Sequence, residues 1–199
     1  MQYTSIVEEL FSALTAFVGR EDSLRSTEAV ADLLVACRGK VLVTGVGTSH
    51  GTALRFSHLL TCCGVPGMFV DSSDARHGGA GLFASGDVLV AVSKGGESAE
   101  VNEVSAIARE RGSRVVAVTE RAQSTLGRRA DVVLVLPPLS SLDPYGMIAI
   151  GSSLVISGVL DLVLYGVLQR VPVNLEEFAR IHPGGAVGLR LRSGEEGAD

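Results

Sequence analysis

Two short segments of the 199-residue chain concentrate the residue types that hold an anion. The first, Gly45-Val46-Gly47-Thr48-Ser49-His50-Gly51, directly follows an apolar β-branched run and directly precedes a segment of helical period. Glycines let the backbone turn tightly and approach a ligand, while the free amides and positive dipole end of the following helix face it. The second, Ser93-Lys94-Gly95-Gly96-Glu97-Ser98, occupies the same place after another apolar run and adds two hydroxyls and an ammonium. Hydroxyls and amides around a helix N-terminus suit a phosphate monoester, with Lys94 adding a point charge. By itself the first loop also reads as a tight strand-to-helix connection; two such loops are far more specific than one. The spacing is G-x-G-x-x-x-G where a dinucleotide fingerprint needs G-x-G-x-x-G, and only Asp71 stands near the usual acidic position, so nucleotide binding is a weak alternative. Glu100 lies just inside the second helix, where a carboxylate also suits the dipole, and Glu97 invites the same structural reading.

The elements that position these loops are legible in the hydropathy pattern. Ile6, Val7, Leu10, Phe11, Leu14 and Phe17 recur every three or four residues and predict an amphipathic helix over Ser5–Val18. A second helix is expected over Ser26–Cys37. From Lys40 onward short apolar strands (KVLVTG, GMFV, DVLVAV, RVVAVT and DVVLVLP) alternate with helical segments. Uniformly apolar strands alternating with helices predict a parallel sheet covered on both faces, with ligands beyond the carboxyl ends of the strands. The fold class is therefore α/β, a three-layer α-β-α sandwich around a five-stranded, doubly wound sheet. One domain is expected over 1–192, with N-terminal helices in 1–38, the sheet-containing core in 39–192 and a frayed polar tail in 193–199.

Composition narrows the function classes. Hydrophobic residues make up 46% of the chain, and 17 Lys+Arg against 22 Asp+Glu give a net charge of -5, which excludes global disorder and offers no basic footprint for nucleic acid. Cys37, Cys62 and Cys63 form no ligand spacing and read as reduced, buried thiols. Glu8 and Glu9 stand where a signal peptide would carry positive charge, so a cytoplasmic protein is expected. Met147–Leu168 is long and apolar enough to raise the question of a membrane span. Its Gly151, Ser152, Ser153, Ser157, Gly158 and Asp161, with no flanking basic cluster, favour a helix buried on all faces and no membrane partner.

The succession GVGTS, SKGGESAEV, STLGRRADVVLVLP and EEFARIHPGGAVGLRL resembles the sugar isomerase (SIS) domain, most of all its arabinose-5-phosphate isomerase branch. The resemblance runs from Gly39 to Leu191, and His182-Pro183-Gly184-Gly185-Ala186-Val187-Gly188 is its most specific motif. The CBS domains found in many members are not expected here. The resemblance implies that the loops hold a sugar phosphate through Ser49, Ser93 and Ser98, and that Glu100 and His182 are catalytic; Gly47, Thr48, Lys94 and Gly95 of the same two loops stand as further candidate binding positions. His77, within Asp74–Gly78, fits a further family histidine. Three positions depart from the pattern: Gly95 replaces a common serine, Thr48 stands where the branch usually has lysine, and Ser140 and Ser141 stand near a usual glutamate. Lys94 or Arg76 would replace the missing cation, and Asp143 the missing carboxylate.

Aldose–ketose interconversion of a phosphosugar moves a proton between adjacent carbons through a cis-enediol. One base must reach both carbons and an acid must serve the oxygens, tasks that suit a carboxylate and an imidazole. Glu100 is the expected carbon base; His182 would move protons between the oxygens or open the ring, with His77 as its competitor. His50 and His58 read as structural. No cofactor is expected, and the four histidines form no metal-ligand spacing. The resemblance also implies a homodimer or homotetramer in which the His182 segment reaches a neighbour's pocket. The competing readings are a catalytically silent sugar-phosphate sensor and an isomerase for a different phosphosugar, such as a hexulose or aminosugar phosphate.

Overall fold

The structure is a computed structural model that describes residues 3–138, 142, 145, 147–172, 174–185, 188 and 190. Ser140, Ser141, Asp143, Ala186, Val187 and the 193–199 tail lie outside the described residues.

Helices α1 (Tyr3–Val18) and α2 (Glu21–Val35) precede the sheet. The second begins five residues ahead of the expected Ser26, because its opening turn satisfies itself. Glu21 and Asp22 occupy the positive end of its dipole and pair with Arg25 at 2.7 and 2.5 Å, and Thr27 donates to the Ser23 carbonyl at 2.8 Å. Strands β1 (Val41–Gly45), β2 (Gly67–Phe69), β3 (Val88–Val92), β4 (Arg114–Thr119) and β5 (Val132–Val135) form one parallel sheet of five strands in the order β2-β1-β3-β4-β5. Between and after them run α3 (Thr48–Cys62), α4 (Ser72–Arg76), α5 (Ala99–Glu110), α6 (Thr125–Arg129), α7 (Ser152–Leu168) and α8 (Leu175–Ile181).

Alternation along each strand sends side chains to two separate cores. Val41, Val43, Val90, Val92, Val116 and Val118 pack with Phe17, Leu34, Phe56, Leu60, Val159 and Val163 from α1, α2, α3 and α7. Leu42, Leu89, Ala91, Val115 and Ala117 meet Ala75, Val101, Val104, Ala108 and Leu126 from α4, α5 and α6 on the opposite face. Each fully buried Val, Leu or Phe contributes roughly 1.5–3 kcal/mol through area removed from water. At the amino edge of the sheet the buried Asp87 accepts from the Lys40 ammonium at 2.7 Å and from the Ala84 amide at 2.9 Å. Burial pushes its carboxyl up, but the hydrogen bonds from Lys40 and Ala84 outweigh this and hold it below its ordinary value.

Two expectations need correction. The apolar segment from Met147 becomes helical only at Ser152, and it is buried on one side rather than on all faces. Val155, Ile156, Val159, Leu160 and Val163 enter the core, while Leu154 and Tyr165 remain 62% and 63% exposed. Among the described residues no helix is long and apolar enough to cross a membrane. The three cysteines are free thiols but only half-buried: Cys62 ends α3, Cys63 follows it, and Cys37 follows the last turn of α2. Burial nonetheless pushes the Cys37 and Cys63 thiols up.

Candidate active site

The chain crosses from β1 outward to β2 and then returns to place β3 on the other side of β1. That reversal opens a crevice beyond the carboxyl ends of β1 and β3, the place where open α/β sheets bind ligands. Gly45 pairs with Val92 across the two strands, so both glycine loops emerge side by side.

The first loop turns into α3 through Gly47, whose φ of 59° and ψ of -131° is a conformation that favours glycine. No side chain caps this helix. Gly45 is required by close approach, because a Cβ there would lie 2.8 Å from the Ser49 carbonyl oxygen. Ser49 is buried at the mouth of the crevice, while Thr48 is exposed. Between the first turns of α3 and α7 runs a groove of about 410 Å³ lined by Thr48, Thr52, Arg55, Ser153 and Ser157, and Arg55 is held by Asp161 at 2.7 Å.

The second loop brings the Ser93 and Ser98 hydroxyls within 3.1 Å of each other ahead of α5, which likewise has no side-chain cap. Gly96 has φ +70°, and a Cβ on it would meet Ser124 Oγ at 2.0 Å. Gly95 differs: a Cβ there would find open space, so the serine that the family resemblance expects at this place would fit. Glu100 lies half-buried in the first turn of α5, and its carboxylate makes no hydrogen bond or ion pair among the described residues. Lys94 is tied to Glu120 at 3.6 Å. Glu97 is a tether, accepting the Thr125 amide at 2.9 Å at the start of α6; Thr125, and after it Arg128 and Arg121, hold its carboxyl below the ordinary range.

The histidines are placed unequally. His77 is exposed after α4, beyond the carboxyl end of the neighbouring strand β2. His50 lies against Phe69 with the rings tilted at 51° and their centroids 4.4 Å apart, and faces Asp71 at 3.8 Å; His58 lies on α3 beside Cys62 at 3.6 Å. His182 ends α8, stacked on Phe178 at 4.0 Å with Nδ1 3.0 Å from the Phe178 carbonyl oxygen. That helix packs over the far end of α3, where Cys62, Cys63, Leu168, Val171, Phe178 and Ile181 enclose about 260 Å³. Since α3 spans 15 residues, roughly 22 Å at 1.5 Å per residue, the structure does not bring His182 to the glycine loops of its own chain. Gly188 explains part of the HPGG motif: a Cβ there would lie 2.3 Å from the His182 carbonyl oxygen. Arg76 pairs with Glu103 of α5 rather than with either loop. Among the described residues no group of three or more His, Cys, Asp or Glu is arranged to hold a metal ion.

Sequence reading missed the residues that brace the second loop from the next strand-to-helix connection. Lys94 O accepts the Glu120 amide at 2.9 Å and the Thr119 hydroxyl at 3.0 Å, and Gly96 O accepts the Leu126 amide at 3.1 Å. The repeated strand-loop-helix pattern gave their place in the fold, but no local motif gave their contacts.

Residues 34–156, more than half of the chain, match the SIS domain. The chain belongs to the SIS domain family. This SIS domain is similar to the arabinose 5-phosphate isomerase KpsF of Escherichia coli, with 29% identity over 164 residues, 82% of this chain and 52% of the relative. The chain thus spans about half the length of the curated relatives it matches. Its fold superimposes on an Escherichia coli CFT073 protein in complex with arabinose 5-phosphate at a TM-score of 0.83 and 25% identity, covering 92% of this chain and 100% of the other. The sugar isomerase domain of an RpiR transcription factor from Sphaerobacter thermophilus shares the fold at a TM-score of 0.72 and 21% identity, with 96% of this chain and 97% of that one covered.

Proposed function

We propose that this SIS domain is a phosphosugar aldose–ketose isomerase of the arabinose-5-phosphate type. The observation that carries this reading is the pairing of two uncapped helix N-termini with the Ser49, Ser93 and Ser98 hydroxyls at one switch point, beside an unpartnered Glu100. Ser49, Ser93 and Ser98, with the amides of Gly47, Thr48 and Gly95, hold the phosphate; Lys94 adds positive charge. Phosphate binding then supplies remote binding energy that positions the reacting carbons. Glu100 removes a proton from one carbon, leaving a cis-enediol, and returns it to the neighbouring carbon. The oxygens exchange their proton through His182 of a second copy or, as the competing assignment, through His77.

Two features support a homodimer or homotetramer with shared sites: the distance of His182 from its own loops, and the exposed apolar side chains of α1 and α7. Tyr3 and Phe11 are 89% and 66% exposed, and Leu154 and Tyr165 are likewise uncovered. Residues 1–192 act as one domain in this reading, in the cytoplasm, without nucleic acid or membrane. Thr48, with no ammonium at the lip of the site, favours an altered phosphosugar and is also what a silent sugar-phosphate sensor would carry.

Glu100→Gln distinguishes these readings. We expect it to bind arabinose 5-phosphate as wild type does while kcat falls on the order of 10²–10⁴-fold, the usual worth of a positioned base. A variant that turns over as fast as wild type removes Glu100 as the base. Wild-type binding without turnover of any phosphosugar replaces the enzyme with the sensor.

A further inference from the structure

We propose that Asn102 is a positioning residue that holds the second loop in its ligand-binding shape, an inference that rests on the phosphosugar reading above. Asn102 lies one turn along α5 from Ser98, whose carbonyl accepts its backbone N–H at 3.0 Å. Its side-chain amide donates to the Gly96 carbonyl at 3.3 Å, and the same carbonyl accepts the Leu126 N–H at 3.1 Å from the start of α6. Gly96 O is therefore drawn inward from two directions. The peptide that follows Gly96 is planar and trans, so its N–H points opposite to its carbonyl. Holding Gly96 O against α5 and α6 therefore turns the Glu97 N–H away from both helices, where it is free to meet an anion.

A second observation separates this role from ordinary packing. Asn102 is only 9% exposed, and its Oδ1 is buried with no hydrogen-bond partner. An orphaned buried acceptor is unfavourable, and an apolar side chain of the same shape would remove the penalty. The chain keeps a locally unfavourable residue at the point where an amide donor reaches the loop, the pattern expected where stability yields to site geometry. Glycine at 96 accounts for the same requirement from the other side, since Ser124 leaves no room for a side chain there.

Asn102→Leu removes both the donor and the orphaned acceptor, whereas Asn102→Asp keeps an acceptor and removes the donor. The readouts are Tm, hydrogen exchange at the Leu126 amide, which is bonded to Gly96 O, and Kd for inorganic phosphate and for arabinose 5-phosphate. Asn102→Leu should keep or raise Tm, speed exchange at Leu126 and weaken both ligands about five- to tenfold, with KM rising more than kcat falls. Asn102→Asp should lose the same affinity with a lower Tm. Equal affinity in wild type and Asn102→Leu overturns the proposal, as does an affinity loss that merely tracks Tm across the two variants. Wild-type protein that binds neither probe overturns the phosphosugar reading, whereas Leu126 exchange in Asn102→Leu that matches wild type overturns the positioning role alone.

Discussion

The two glycine loops share a place in the fold but are built to different degrees of rigidity. The first is exposed at Gly47, Thr48 and Gly51, and a Cβ added at Gly47 or Gly51 would touch nothing. The second is clamped: Ser93 N–H reaches the Val118 carbonyl, Lys94 O accepts the Glu120 amide from the β4–α6 connection, Gly96 O accepts the Leu126 amide from the first turn of α6, and Glu97 accepts the Thr125 amide at the start of that helix. The contrast teaches a division of labour. In the proposed reading, the clamped loop is the preorganised anion cradle, and the open loop, with Thr48 at its lip, is where the substrate is chosen.

The harshest way to break this division is to fill the clamped loop. Gly96→Ala combines a positive φ with a collision against Ser124, and should abolish phosphosugar binding by titration calorimetry. The matching change in the open loop, Gly47→Ala, meets only backbone strain, about 1–3 kcal/mol for a conformation favoured by glycine, and should leave measurable binding. Comparable damage from both would erase the distinction.

Restoring what the open side lacks should sharpen it. Thr48→Lys is expected to tighten arabinose 5-phosphate binding about tenfold through one charge-assisted hydrogen bond, and Gly95→Ser to add a smaller gain in the open space beside it. Weaker binding in both variants would mean that the ligand is not gripped from this side.

The smallest effect on activity is expected at the opposite edge of the sheet, where Asp87 is bound by Lys40 and Ala84. Its folded-state carboxyl lies below its ordinary value, so its stabilisation is fully present above the unfolded pKa of about 3.9 and is lost as pH falls through the folded value. Acid unfolding followed by circular dichroism should therefore flatten in that window for Asp87→Asn, while the KM of properly folded protein at neutral pH stays unchanged.

Much of this organisation was legible in the sequence because it is local. The five short apolar runs from Lys40 onward are the five strands of the sheet, and both loops stand where the strand-to-helix switches put them. The strand order, and with it the adjacency of Gly45 and Val92, follows from long-range pairing that no window of residues encodes. The brace around Gly96 joins residues 23 to 30 positions away, through Thr119, Ser124 and Leu126, and carries no periodic signal. The one-sided burial of α7 was illegible for a different reason: Leu154 and Tyr165 are as apolar as its core-facing side, so its pattern lacks the polar stripe that marks a solvent face. His182 could be singled out by motif, but its remoteness from the loops depends on how α8 docks against the far end of α3.

Proton NMR in heavy water, with a panel of pentose, hexose and heptose phosphates, tests the central claim most directly. Enediol chemistry at Glu100 predicts that at least one of them loses the proton beside its carbonyl to solvent and converts to its isomer, and that Glu100→Gln stops both. Binding across the panel with no exchange and no conversion would contradict the isomerase and leave a sugar-phosphate sensor in its place.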